Sequence, residues 1–306
     1  MSDSAIPNLF IPGTPKAATT SLAAWLAQHP SVHVPSVKEP HFFNDDRSNS
    51  RFASNEEAYR SLFPKREHVT YYCDATPGYL FSPNALRAIA QTSPHAKHII
   101  TFRDYAETFF SLHQHERFLQ TESIADPVRA FAAAPERRRR DRKRPKSYSK
   151  SLYYDERLRV GAQLLRALEF VDRDNILFID FDRVKGNPDK VWEGMCEFLE
   201  LDPVPIEFIR KNSRKTVPAD GVVYRMLRLG ISARNALGLG RGTGLARKLR
   251  LRFAKPDTEP PAPPPELAEK INRQFEYDRA LVEKFAQAGP ALVAEGFYTN
   301  AGSDIL

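Results

Sequence analysis

The sequence predicts an α/β fold of three layers, a central parallel sheet covered by helices. Two observations carry that expectation. Runs of strand length, apolar or rich in β-branched and aromatic residues, recur at Leu9–Ile11, His68–Cys73, His98–Phe102 and Asn175–Ile179. The stretches between them place apolar residues at helical spacing, so strands alternate with helices, the pattern that crossover connections impose on a parallel sheet.

The first unit sets the theme. Leu9, Phe10 and Ile11 are broken by Pro12, Gly13 and Pro15, and the chain restarts as a helix with Leu22, Trp25 and Leu26 on one face. A strand, a tight loop and a helix start present unpaired N–H groups and the positive end of the helix dipole, which suit an anion. Lys16 adds a full charge there, and Thr19, Thr20 and Ser21 add hydroxyls. Here the lysine comes three residues after Gly13 and is followed by Ala17, so the Lys-Ser/Thr pair that holds magnesium in a Walker loop is missing.

After a short apolar stretch at Val32–Val34 comes Lys38-Glu39-Pro40-His41-Phe42-Phe43. A carboxylate beside two phenylalanines is expected to be partly dry and therefore more basic, with His41 placed to orient it or share its proton. Residues 56–64 read as a short helix. The strand ending at Cys73 leads into Asp74-Ala75-Thr76-Pro77-Gly78-Tyr79. The next strand, 98–102, ends directly on Arg103, at the edge where open α/β sheets bind ligands, and a helix with Phe109, Phe110 and Leu112 follows.

Four of these segments carry a resemblance. Pro15, Lys16, Ala17, Thr19, Thr20 and Leu22 resemble the 5′-phosphosulfate loop of sulfotransferases, P-K-[SAT]-G-T-[ST]-x-L, with Ala18 where the family commonly has glycine. Lys38 to Phe43 resembles the K-E-x-[HN]-F-F stretch of the bacterial and heparan sulfate enzymes, and Asp74 to Tyr79 resembles their E-[KS]-[TS]-P-x-Y segment. Arg103 with Ser111 eight residues later resembles the 3′-phosphate site, although Tyr105 and Thr108 replace the usual proline and second basic residue. Ala75 stands where the heparan sulfate enzymes carry lysine, which argues against heparan sulfate as acceptor.

The resemblance implies a P-loop-like fold and a sulfuryl donor, 3′-phosphoadenylyl sulfate (PAPS), released as PAP, with no metal. In it Glu39 is the catalytic base, assisted by His41, and Lys16 meets the charge on the leaving phosphate. Lys16, Ala17, Ala18, Thr19, Thr20 and Ser21 hold the phosphosulfate; Arg103 and Ser111 hold the 3′-phosphate. Lys38, Phe42, Phe43, Thr76 and Tyr79 line the acceptor side, the acceptor being a small molecule, glycan or lipid with a hydroxyl or amine.

Composition narrows the rest. The 306 residues are 42% hydrophobic, ordinary for a globular protein, and are read as a single domain. Residues 1–216 form its α/β core, 217–265 a basic variable segment with a proline-rich connector, and 266–306 a helix docked on the core through Leu267, Ile271, Phe275, Val282 and Phe285. No apolar stretch approaches the roughly 20 residues needed to span a bilayer, and no signal pattern precedes the first strand, so the chain is expected to be soluble and cytoplasmic. Cys73 and Cys196 have no metal-ligand spacing.

The segment 137–146 holds eight basic residues against one acid, Asp141, which equals the whole formal net charge of +7. Nucleic acid is therefore not an expected partner of the whole protein. The run is expected to be mobile and solvated, or to act as a loop that recruits an anionic acceptor or cofactor. In 217–255, Val222, Val223, Met226, Leu227 and Leu229 interleave with arginines, a pattern for a helix that lies on a membrane surface or covers the active site. Two rivals stay open: a P-loop kinase or other phosphotransferase, and a non-enzymatic polyanion binder working through 137–146.

Overall fold

The computed structural model describes residues 4–37, 39–44, 55–119, 121–143, 149–209, 215–216, 255–256 and 263–298. Six strands form one parallel sheet: β1 (Leu9–Gly13), β2 (Val32–His33), β3 (Tyr71–Asp74), β4 (Lys97–Phe102), β5 (Ile176–Asp180) and, last in the chain, β8 (Ala291–Leu292). Their order is β2-β3-β1-β4-β5-β8. The short strands β6 (Lys215–Thr216) and β7 (Lys255–Pro256) form a separate antiparallel pair.

Alternation along the inner strands divides the core in two. Phe10, Ile100, Phe102, Ile176 and Phe178 point to one face, where α3 (Ala85–Thr92), α4 (Tyr105–Leu119), α8 (Val160–Ala167), α11 (Pro265–Gln274) and α12 (Glu276–Gln287) supply Ile89, Phe109, Leu164, Ile271 and Phe285. Leu9, Ile11, Ile99, Leu177 and Ile179 point to the other, against Leu22, Trp25 and Leu26 of α1 (Thr19–Leu26) and Val191, Trp192 and Met195 of α10 (Pro188–Phe198). Each such side chain contributes on the order of 1.5–3 kcal/mol by leaving water. These are the three layers the sequence predicts.

β1 runs two residues beyond the expected break, through Pro12 to Gly13, with its pairing to β4 shifted between Phe10 and Gly13. Proline is tolerated in this inner strand because the irregularity falls where its missing N–H would sit. Its carbonyl is used: the Leu80 N–H donates to it at 2.8 Å. Leu80 packs so close that a Cβ on Gly13 would lie 2.8 Å from its Cβ, which explains the glycine.

Two departures from expectation concern the periphery. Arg137 to Lys143 is not a solvated loop but part of α6 (Ala134–Lys143). Arg137 reaches Glu122, whose side chain is fully buried, with two bonds of 2.7 and 2.8 Å, and Arg138 reaches Asp155 at 2.8 Å and Glu156 at 2.7 Å. Residues 144–146 lie outside the described residues, as do Val222, Val223, Met226, Leu227 and Leu229.

The carboxyl-terminal stretch is two helices split at Phe275, followed by β8, rather than one helix. Tyr105, which stands where the family motif has proline, has its ring stacked on Phe275 and its hydroxyl donating to Asp278 at 2.8 Å. Asp278 also accepts the N–H groups of Gly161 and Ala162 at 2.8 and 3.0 Å, capping α8. Among the described residues no helix is long and apolar enough to cross a membrane.

Candidate active site

The segments that follow β1, β2, β3 and β4 leave the same carboxyl edge of the parallel sheet, and the sequence motifs lie on them. In the first, Lys16 and Ala18 have φ of 71° and 65°. Ala18 is the N-cap of α1, yet no side chain caps this helix and no acid lies in its first turn. By contrast α2 (Glu56–Arg60) is capped by Asn55 and opens with Glu56 and Glu57. The positive end of α1 is thus met by neither a capping side chain nor a first-turn acid, and the Ser21 N–H is turned inward to the Ala18 carbonyl at 2.8 Å. The left-handed conformation at Ala18 shows why glycine is usual there: with a Cβ it costs about 1–2 kcal/mol.

Arg103 sits under this loop. Its guanidinium donates to the Lys16 carbonyl at 3.3 Å, holds Glu107 at 2.7–2.8 Å and lies 4.6 Å over the Phe181 ring. Thr108, in place of the second basic residue, donates its hydroxyl to the Arg103 carbonyl at 3.1 Å. Ser111 is buried on α4, eight residues after Arg103, which lies two residues before the helix begins.

Glu39 is 3.6 Å from Nε2 of His41, but its side chain is 42% exposed. The expected drying by phenylalanine is not met, because both rings turn into the core. Phe42 stacks flat on Tyr59 at 4.2 Å, and Phe43 packs edge-on against Phe10, Tyr59 and Tyr79. Lys38 lies outside the described residues. Thr76 and Tyr79 are fully buried, their hydroxyls bonded to Asp74 at 2.6 and 2.8 Å, so as placed they stand behind the Glu39 loop rather than facing an acceptor.

His115 was not legible from motifs. It lies on α4, and the atoms packed around it and then the Lys16 ammonium push its imidazole below the usual range, while Glu116 and Glu39 pull the other way. The charges of both Lys16 and Glu39 thus act on this imidazole. The signal for it was a four-residue period that begins at Arg103, just before α4, and continues through Glu107, Ser111 and His115 on the helix. Among the described residues no cluster of His, Cys, Asp and Glu is arranged to hold a metal ion.

A family model of the sulfotransferase domain matches residues 7–217. The chain belongs to the sulfotransferase family. Among relatives, the bifunctional heparan sulfate N-deacetylase/N-sulfotransferase 1 of Caenorhabditis elegans is 27% identical over 293 residues, which is 92% of this chain and 30% of that protein. The human bifunctional heparan sulfate N-deacetylase/N-sulfotransferase 3 is 26% identical over 213 residues, 65% of this chain and 23% of its own length. This sulfotransferase therefore spans less than a third of the length of these curated relatives. A solved sulfotransferase from Alicyclobacillus acidocaldarius, 26% identical, superposes with a TM-score of 0.60 over 79% of this chain and 99% of that one.

Proposed function

We propose that this sulfotransferase takes its sulfuryl group from PAPS, passes it to an acceptor hydroxyl or amine, and uses Glu39 as the general base. The observation that carries the reading is the join between the anion loop and the end of β4, where the Arg103 guanidinium donates to the Lys16 carbonyl at 3.3 Å beside a helix start with no capping side chain and no first-turn acid. The uncapped start of α1, free of first-turn acids, fits the 5′-phosphosulfate, and Arg103 with Ser111 fits the 3′-phosphate. When bound, the donor supplies an electrophilic sulfur and a phosphate leaving group.

Glu39 takes the proton of the acceptor as its oxygen or nitrogen bonds to sulfur and the sulfur–phosphate oxygen bond breaks. His41, 3.6 Å away, orients that carboxylate. Lys16 and the N–H groups at the start of α1 meet the charge that gathers on the departing phosphate, a preorganised electrostatic role. Exposure of Glu39 leaves room for an acceptor to exclude water from it on binding. Arg103 must hold the 3′-phosphate with the face not used by Glu107, or exchange one carboxylate for the phosphate. Lys38 belongs to this reading as an acceptor contact, and Phe42 and Phe43 as the packed base of its wall. The reaction is placed in the cytoplasm, where buried thiols such as Cys73 and Cys196 stay reduced. The polyanion-binder reading loses its footing at Arg137 and Arg138, which already hold carboxylates.

Glu39→Gln keeps shape and removes the proton acceptor. Sulfo transfer followed by mass spectrometry should show kcat lowered by about 10² to 10⁴, with PAP affinity unchanged by calorimetry. Retention of full kcat with chemistry rate-limiting would place the base elsewhere, His115 first.

A further inference from the structure

We propose that Asp74 is a positioning residue for the transfer reaction, fixing the turn that carries Glu39 and His41 through the hydroxyls of Thr76 and Tyr79. The proposal rests on Glu39 acting as the base. Asp74 ends β3 and is fully buried. One carboxylate oxygen receives the hydroxyls of Tyr59 and Tyr79, both at 2.8 Å, and the other receives that of Thr76 at 2.6 Å. A hydroxyl has one hydrogen, so donating it to Asp74 leaves only lone pairs to face outward. Those lone pairs meet the next layer: the Tyr79 oxygen accepts the Phe42 N–H at 3.0 Å, and the Thr76 oxygen accepts the His41 N–H at the longer distance of 3.5 Å.

The backbone so held needs holding. His41 has φ of 54°, a left-handed conformation that a side chain bearing Cβ adopts only when its surroundings impose it. That turn is what brings Nε2 of His41 to Glu39. Ring packing of Phe42 and Phe43 against Tyr59 and Tyr79 anchors the segment, but it is the two N–H bonds that set the turn between the rings and Glu39. Burial pushes the Asp74 carboxyl up to about 6, although Thr76, Tyr59 and Tyr79 all donate to it.

Tyr79→Phe is the decisive variant, since it keeps the ring and removes the link between Asp74 and the Phe42 N–H. It should lower kcat about tenfold to a hundredfold by mis-aiming the base, with the Kd of PAP unchanged. Combined with Glu39→Gln it should cause no further loss, because there is then no base left to aim. Thr76→Ser should stay near wild type where Thr76→Val does not, and Asp74→Asn should reproduce Tyr79→Phe if it folds. Losses that multiply in the Glu39→Gln background, or a drop in PAP affinity matching the drop in kcat, would overturn the positioning role while leaving Glu39 as base. A silent Glu39→Gln would overturn both.

Discussion

Two regions of this sulfotransferase look alike in charge and differ in what the charge is for. The loop before α1 has a single lysine, Lys16, set among backbone N–H groups at a helix start that carries no acid. Helix α6 has four consecutive arginines, of which Arg137 and Arg138 are bonded to Glu122, Asp155 and Glu156, and Arg139 and Arg140 to Glu136. One region is poor in positive charge and has neither a side-chain cap nor an acid in its first turn. The other is rich, and the neighbouring carboxylates already answer its charge. A count of basic residues does not separate the two regions in kind; the carboxylates bonded along α6 do.

Substitutions can break this comparison. The largest effect belongs to the loop: Lys16→Ala should cut kcat by about 10² to 10³ and weaken PAP, with little change in melting temperature. Turnover within a few-fold of wild type would equate Lys16 with an ordinary surface lysine.

In α6 the prediction is reversed, with stability lost and chemistry kept. Arg137→Ala strands the buried Glu122 and should cost about 3 kcal/mol in denaturant titrations at pH 7, with PAP affinity retained. Arg139→Ala, on an exposed pair, should cost no more than about 0.5 kcal/mol. The pH dependence sharpens the point. Burial pushes the Glu122 carboxyl up, but Arg137, the Ile124 N–H and Tyr154 outweigh it and hold it below its usual 4.5. A depressed carboxylate contributes stability that is present above its unfolded value and lost as pH falls through the folded one. The penalty of Arg137→Ala should therefore shrink in acid below about pH 4; a penalty constant from pH 7 to 3 would show that the loss is packing.

Much of this was written in the chain. The Lys16 loop and the Glu39 segment were legible because their chemistry depends on local spacing, and the sheet was legible because alternation and strand length are local too. What escaped depends on partners far along the chain. Glu122 and Asp155, 15 and 17 residues from their arginines, turn a basic run into a packed helix. Tyr105 reads as a broken motif until Asp278, 173 residues on, gives its hydroxyl an acceptor. The exposure of Glu39 was misjudged because adjacency to Phe42 and Phe43 does not say where the rings point; Tyr59 and Tyr79 draw them inward.

A gain in stability is expected back in the loop. Ala18 holds a left-handed conformation against its own Cβ, so Ala18→Gly should raise stability by about 1 kcal/mol and leave turnover the same or faster. A loss of stability would mean that the unfolded chain gains more freedom from glycine than the loop gains in relief.

The clamp at Asp278 has a consequence for where this protein can be cut. Every residue assigned a part in the reaction lies before residue 116, and the family match stops at 217. Yet the carboxylate that caps α8 and receives Tyr105, two residues from Arg103, is at 278, and the strand that closes the sheet beyond β5 is at 291–292. The minimal folding unit therefore reaches at least Phe297, whose ring packs on Phe102 and Phe178. A chain ended by a protease or a stop codon soon after the match would keep the whole reacting constellation and lack the piece that seals it.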